Sequence, residues 1–219
     1  MKRWKLWWVV ALAALYAGGA AAQAGFDDSA SARLLVAARA NDVPAVQRAL
    51  ADGASINARN RIGESALLGA VKRNDRALAR LLINAGADVD QPAVNGITPL
   101  MAAAYAGDAD MVEQLLARHA AVDAVDRIDK TALIYAAAEG HADIVKRLIA
   151  GGIDVNRRYA NDLTALMWAS GFGKDNVVGV LIAAGADPAL KDNRGKTAAD
   201  IARDGRFDST VALLAKKPG

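Results

Sequence analysis

Apolar and small residues recur at a fixed interval of 33 residues along most of this chain. Three series show the interval: Ser65, Thr98, Thr131, Thr164 and Thr197; Ala37, Ala70, Ala103, Ala136, Ala169 and Ala202; Leu82, Leu115, Leu148, Leu181 and Leu214. Within one interval, Met111, Val112, Leu115 and Leu116 fall on a single face of a helix. A sustained period of this length predicts stacked structural units, because each unit can bury its apolar face only against a neighbour.

Each unit is predicted to contain two short antiparallel helices and an extended turn. Thr98 is a typical N-cap, and Pro99 suits the first helical position because its missing N–H would have no partner there. Gly107 is expected to end this helix in the left-handed conformation, with Gly140, Gly173 and Asn74 at the equivalent positions. Turns rich in Gly, Asp and Asn follow the second helices.

Three motifs make the chain similar to ankyrin repeat proteins: Gly96-Ile97-Thr98-Pro99-Leu100, Ala137-Ala138-Glu139-Gly140-His141 and Leu181-Ile182-Ala183-Ala184-Gly185-Ala186-Asp187. The resemblance implies an all-α, slightly curved solenoid of helix-turn-helix units with hairpin-like turns, spanning residues 29–216. The expected units are 29–58, 59–91, 92–124, 125–157, 158–190 and 191–216, the first and last being caps. His119 stands where other units have Gly, so that turn is expected to be strained or to hold a residue at positive φ.

The N-terminus has the layout of a secretory signal peptide. Lys2, Arg3 and Lys5 precede an apolar run, and Ala22-Gln23-Ala24 offers a cleavage site. We therefore expect a signal peptide at 1–24 and a periplasmic location; the alternatives are an uncleaved membrane anchor and secretion. Ala20-Ala21-Ala22 is a second possible cleavage site.

Charge at first suggests a nucleic-acid partner, since the pI is about 9.2. Three of the 27 basic residues and none of the 24 acidic ones lie in residues 1–24, so a chain cleaved after Ala24 is neutral. We therefore expect no nucleic-acid partner, and membrane contact only through the signal peptide.

Groupings typical of catalysis are missing from the sequence. There is no cysteine, the two histidines lie 22 positions apart, and no nucleophile elbow, phosphate loop or metalloprotease motif occurs. His119 and His141 are interpreted as structural, and Ser170 as a small packing residue. We expect a protein that is not an enzyme and binds no cofactor or metal.

The resemblance implies binding through the turn tips and the concave face of the first helices. By register, the expected partner-binding residues are Arg61, Ile62, Lys72, Arg73, Asn95, Ile97, Tyr105, Arg127, Ile128, Lys130, Glu139, Asn161, Leu163, Phe172 and Arg194. The same surface is expected to include Glu64, Val94, Tyr159, Asn193 and Lys196. Exposed aliphatic and aromatic residues mixed with Arg are typical of protein interfaces. Trp168 is expected in the core between units.

The function predicted is a non-enzymatic protein-protein interaction module in the bacterial periplasm, monomeric, with a protein partner. The alternative is a structural or assembly protein, tethered by an uncleaved N-terminus or self-associating.

Overall fold

The computed structural model describes residues 29–215. In this range the chain forms twelve α-helices, and the β-type pairing found there is an isolated bridge between Arg59 and Ser65. The helices are α1 (Ser29–Arg39), α2 (Val43–Ala51), α3 (Ala66–Lys72), α4 (Arg76–Asn84), α5 (Pro99–Ala106), α6 (Ala109–Ala117), α7 (Ala132–Glu139), α8 (Ala142–Ala150), α9 (Ala165–Gly171), α10 (Asp175–Ala183), α11 (Ala198–Asp204) and α12 (Asp208–Ala215). The predicted signal peptide lies outside the described residues.

Consecutive helices pack as pairs, and the pairs stack into an all-α solenoid. The first helices of neighbouring units (α1, α3, α5, α7, α9, α11) pack more closely on one another than the second helices do. The stack therefore curves with the first helices on its inner, concave side. Of the helices in residues 29–215, none combines the length and apolar content needed to cross a bilayer.

The recurring alanines and leucines form the core between units. Ala70, Ala103, Ala136 and Ala169 on the first helices are completely buried, as are Leu82, Leu115, Leu148 and Leu181 on the second helices. A close approach of neighbouring first helices leaves space for a methyl group and no more. The high alanine content and low aromatic content of the sequence follow from this packing.

Side-chain hydroxyls begin most of the first helices, as the sequence predicts for Thr98. The oxygens of Ser65, Thr98, Thr164 and Thr197 accept hydrogen bonds from backbone N–H groups three residues ahead, at 3.2–3.3 Å. Thr131 makes no such bond. Its hydroxyl instead donates to the phenol oxygen of Tyr159 at 3.1 Å.

The expected left-handed residues are confirmed. Gly107, Gly140 and Gly173 have φ of 75°, 91° and 60°, and Asn74 has φ of 56°. His119 has φ of 61°, which confirms a residue at positive φ in that turn. Asparagine adopts this region more readily than most residues, because its short side chain can bond locally.

Candidate functional site

The hairpin turns between units are fixed by single side chains. Asp126 Oδ1 accepts hydrogen bonds from the backbone N–H groups of Ile128 and Lys130, both at 2.9 Å. Asn60 and Asp192, which lie 66 residues before and after Asp126, accept hydrogen bonds within their own turns in the same pattern. Two satisfied N–H groups per side chain hold each tip in one conformation.

Neighbouring tips are also joined by backbone hydrogen bonds. Val94 N–H donates to Ile62 O at 2.9 Å, and Arg127 N–H donates to Asn95 O at 3.1 Å. Farther along, Asn193 N–H donates to Asn161 O at 3.0 Å. The tips of units 2–4 therefore form one continuous edge, and those of units 5 and 6 form another.

The tip of unit 5 differs because Tyr159 occupies the position of Asn60 and Asp126. Asn161 and Asp162 both have positive φ there, within a turn of 3₁₀ helix at Ala160–Asp162. Tyr159 is 5% exposed. Burial raises its pKa above the usual value for a phenol. The expectation that Tyr159 contacts a partner is wrong, because its ring completes the core between units 4 and 5.

Four aromatic side chains meet on the concave face of units 3–5, and we call them the aromatic patch: Tyr105, Tyr135, Trp168 and Phe172. The rings of Tyr105 and Tyr135 meet edge to face with centroids 6.1 Å apart. Those of Trp168 and Phe172 are stacked, with centroids 6.0 Å apart. Such pairs stabilise each other beyond the area they bury, so the patch presents rigid apolar surface.

Lys130 links the two aromatic pairs. Its Nζ lies 4.3 Å from the centroid of the Trp168 ring and 5.8 Å from that of Tyr135. The Tyr135 hydroxyl donates to Asp126 Oδ2 at 2.5 Å, and burial together with this bond raises the pKa of Tyr135. Asp126 thus holds both the hairpin tip and the patch in place.

Trp168 is packed against the core only along part of its ring. The rest of the ring faces Lys130 and Phe172 on the concave surface. The expectation that it lies in the core between units is therefore only partly met. Tyr135 lies at the same register and shares this position.

Among residues 29–215, neither histidine contacts a side chain typical of catalysis. His141 begins α8, and its Nε2 lies 3.1 Å from the carbonyl oxygen of Tyr105 in the preceding unit. Within residues 29–215, no group of three or more His, Cys, Asp or Glu side chains is placed to hold a metal ion. Ser170 is fully buried, and within the same residues its hydroxyl has no hydrogen-bond partner.

The predicted partner-binding residues lie on the hairpins and the first helices, with twelve exposed and three half-buried. The half-buried ones are Ile97, Lys130 and Leu163. Among the rest, Ile62, Ile128 and Tyr105 are 59%, 61% and 57% exposed. Their contact with a partner stays a prediction.

Sequence reasoning missed three apolar members of this surface: Val36, Val125 and Tyr135. Val36 on α1 is 70% exposed, the highest value among the large apolar side chains of residues 30–215. It shares its register with Tyr135 and Trp168. Because Trp168 is expected in the core, this register predicts a buried side chain at Val36, and its exposure could not be read from the sequence.

Comparison with protein families gives a match to ankyrin repeats (3 copies). Four overlapping matches cover residues 34–126, 67–159, 100–192 and 133–219. A comparison with curated proteins gave no match. Ankyrin repeats are generally protein-protein interaction modules and are typically not enzymes. Since the matches cover the chain from residue 34 to its end, the chain belongs to the ankyrin repeat family.

Proposed function

We propose that this protein binds a protein partner through its hairpin tips and the concave face of its first helices, without catalysing a reaction. One observation carries the proposal. All seven large apolar side chains that are strongly exposed in residues 30–215 lie on this side of the solenoid: Val36, Ile62, Val94, Tyr105, Val125, Ile128 and Phe172. Apolar surface gathered on one face is typical of interaction sites.

Binding would use a surface that is already in its final shape. The bonded tips and the stacked rings leave few side chains to be ordered when a partner arrives, so little conformational entropy opposes association. The aromatic patch would supply the buried centre of the interface. Arg127 and Arg194 would form its polar rim, where charges affect the rate and specificity of association more than its strength.

A crosslinking pull-down from an envelope extract tests the binding surface. The variant Tyr105→Ala/Ile128→Ala/Phe172→Ala removes three exposed side chains and should lose the captured partner. The matched control Arg48→Ala/Lys146→Ala/Asn176→Ala removes three exposed side chains from the second helices and should keep it. A partner that both variants retain equally would place the binding site elsewhere.

We also propose that the protein acts as a monomer in the periplasm after removal of residues 1–24. The support is the basic start, the apolar run and the Ala22-Gln23-Ala24 site. Expression of the full chain in a Gram-negative host, followed by fractionation, N-terminal sequencing and a size measurement, should give a soluble monomer beginning at Gly25. The variant Lys2→Glu/Arg3→Glu/Lys5→Glu should stay in the cytoplasm. An intact N-terminus in the membrane fraction, or a soluble oligomer, would favour the structural or assembly role instead.

A further inference from the structure

A second feature of the concave face lies at its N-terminal end, away from the aromatic patch. A cleft of about 530 Å³ opens between α1, α3 and the hairpin tip of unit 2, and we call it the N-terminal cleft. Its lining includes Leu35, Val36, Arg39, Ile62, Gly69 and Arg73. Val36 and Ile62 are strongly exposed, so the cleft has apolar walls that no part of residues 30–215 covers.

Gly69 lies in the interior of α3, where glycine is less favourable than alanine because it loses more backbone freedom. A Cβ at this position would lie 3.1 Å from Arg73 Nη1. The missing side chain therefore leaves room for the Arg73 guanidinium to lie along the helix. From there Arg73 Nη2 donates to the Ala38 carbonyl of the preceding unit at 2.8 Å.

Arg73 is thus held in the cleft with N–H donors to spare, since a guanidinium carries five. Arg39 lines the same cleft, and its guanidinium has no hydrogen bond or ion pair with any of residues 29–215. The one carboxylate of the lining, Glu64, is paired with Lys72 at 3.0 Å. The charged groups in the cleft that are left to contact a ligand are therefore the guanidinium groups of Arg39 and Arg73, which are positive.

We propose that the N-terminal cleft binds a segment of the partner in which a carboxylate side chain lies next to an aliphatic one. The carboxylate would pair with Arg39 and Arg73, because a planar guanidinium matches a carboxylate with two parallel hydrogen bonds. The aliphatic side chain would pack between Val36 and Ile62. The inference rests on the proposed function, and it names the chemistry that one part of the concave face recognises.

Selection from a random decapeptide library displayed on phage tests this specificity, followed by fluorescence anisotropy with the peptides recovered. We expect the recovered peptides to combine Asp or Glu with Leu, Ile or Val. Their affinity should fall as salt is raised, because exposed ion pairs are screened. Neutral or basic peptides, or no enrichment over the bare support, would overturn the proposal.

A charge reversal with a matched control tests whether the peptides bind at the cleft. Arg39→Glu should weaken the recovered peptides by about tenfold or more, since an attractive charge becomes a repulsive one. Arg48→Glu makes the same charge change on the exposed side of α2 and should alter affinity by less than about twofold. Equal effects of the two changes would show that only net charge matters, and would overturn the proposal.

Gly69→Ala separates binding from folding. The added methyl meets only the end of the Arg73 side chain and improves the helix propensity of α3. This gain of about 1 kcal/mol offsets the hydrogen bond to the Ala38 carbonyl that is lost when Arg73 moves, so the Tm should change little. Peptide affinity should nonetheless fall by about threefold to tenfold, because Arg73 is displaced. Unchanged affinity would refute the role given to Arg73.

Failure here is distinguishable from failure of the proposed function. A partner captured through the aromatic patch, together with no acidic peptide bound at the cleft, would leave the proposed function standing and refute the inference alone.

Discussion

The first three and last three units begin their second helices in different ways. In units 1–3 the caps are Asp42, Asp75 and Asp108, whose carboxylates accept backbone N–H bonds at 2.9–3.1 Å. In units 4 and 5 the equivalent residues, His141 and Lys174, make no side-chain cap bond. In unit 6 the equivalent residue is Phe207.

The later residues act by packing against the preceding unit. A Cβ at Gly107 would lie 2.6 Å from the His141 ring, and one at Gly173 would lie 2.4 Å from the Phe207 ring. The aliphatic stem of Lys174 lies close to Gly140 in the same way. In the first units, where the following cap is Asp75 or Asp108, the same left-handed position holds Asn41 or Asn74.

The difference shows that glycine has two roles at this position. Positive φ alone can be met by asparagine, as Asn41 and Asn74 demonstrate with φ of 55° and 56°. Where the side chain of the next unit's cap residue packs against this position, as His141 does at Gly107, the residue must also lack a Cβ. The same backbone is thus stabilised by hydrogen bonds at one end of the stack and by packing at the other.

The largest expected effect is that of Gly107→Ala, which should lower the free energy of unfolding by about 2–4 kcal/mol through left-handed strain and overlap with His141. In a His141→Ala background the cost should drop to about 1–2 kcal/mol, since only the strain remains. Urea unfolding of the four proteins measures the coupling. Additive costs would show that the ring is not what requires glycine. Asn74→Gly, the matched change in the first half, should alter stability by less than about 1 kcal/mol, since both residues tolerate positive φ.

Removing a carboxylate cap comes next. Asp108→Ala should cost about 1–2 kcal/mol, because it removes the cap of α6 and leaves Arg76, 2.9 Å from its carboxylate, without that partner. Lys174→Ala should cost less than about 1 kcal/mol, since only contacts of its stem are lost. Asp110→Ala, which removes the exposed second partner of Arg76, is the control for the ion pair. Similar losses of stability for Asp108→Ala and Lys174→Ala would contradict the distinction between hydrogen-bonded caps in units 1–3 and packed caps in units 4–6.

A smaller effect concerns Asp75, whose Oδ2 is buried and has no hydrogen-bond partner in residues 29–215. In the next unit the equivalent carboxylate oxygen, Asp108 Oδ2, accepts a hydrogen bond from Arg76. The residue that stands to Asp75 as Arg76 stands to Asp108 is Val43, which cannot donate one. Val43→Arg should therefore show a favourable coupling of about 0.5 kcal/mol with Asp75, measured against Asp75→Asn in a double-mutant cycle. Val43→Gln, which is shorter and carries no charge, should show less coupling. A coupling of zero would mean that the introduced guanidinium does not reach the carboxylate.

The smallest expected effect is a pH dependence of the stability of the last unit. There the Asp200 carboxylate accepts hydrogen bonds from Thr197 at the start of α11. Hydrogen bonds from Thr197 and Arg203 lower the pKa of Asp200 to about 2. Because the folded pKa is below the unfolded one, this stabilisation is present above about pH 4 and is lost as the pH falls towards 2. Unfolding midpoints measured between pH 5 and pH 2 should fall less steeply for Asp200→Asn than for the wild type. Parallel curves would show that the bonds of Asp200 contribute nothing to the stability of the cap.

Much of the fold could be predicted from the sequence because the same helix, cap and turn pattern recurs in every unit, and each recurrence supports the others. A single helix of nine residues is marginal evidence by itself, whereas the same pattern at a constant interval predicts the pair, its cap and its turn together. The predicted positive φ at His119 and Asn74 followed from alignment with glycines in other units.

The register predicts which positions lie on the proposed binding surface, but it does not predict how exposed each side chain is. Tyr159 and Trp168 show the reason. The exposure of a side chain depends on the size of its neighbours in adjacent units, and the position in the repeat does not give that size. Tyr159 lies in the core, where its phenol oxygen accepts a hydrogen bond from the Thr131 hydroxyl. Trp168 is half-buried, and Lys130 and Phe172 contact its ring on the concave side.

Sequence reasoning alone predicts the period, the all-α architecture, and the buried alanines and leucines. These depend on short-range helix geometry and on spacing, which repeat identically from unit to unit. Three features are visible only in the folded protein: the cleft beside Arg73, the aromatic patch held by Lys130 and Asp126, and the replacement of hydrogen-bonded caps by packed ones. Those features arise between side chains about 30 residues apart, where the space left by one unit is set by the residues of the next.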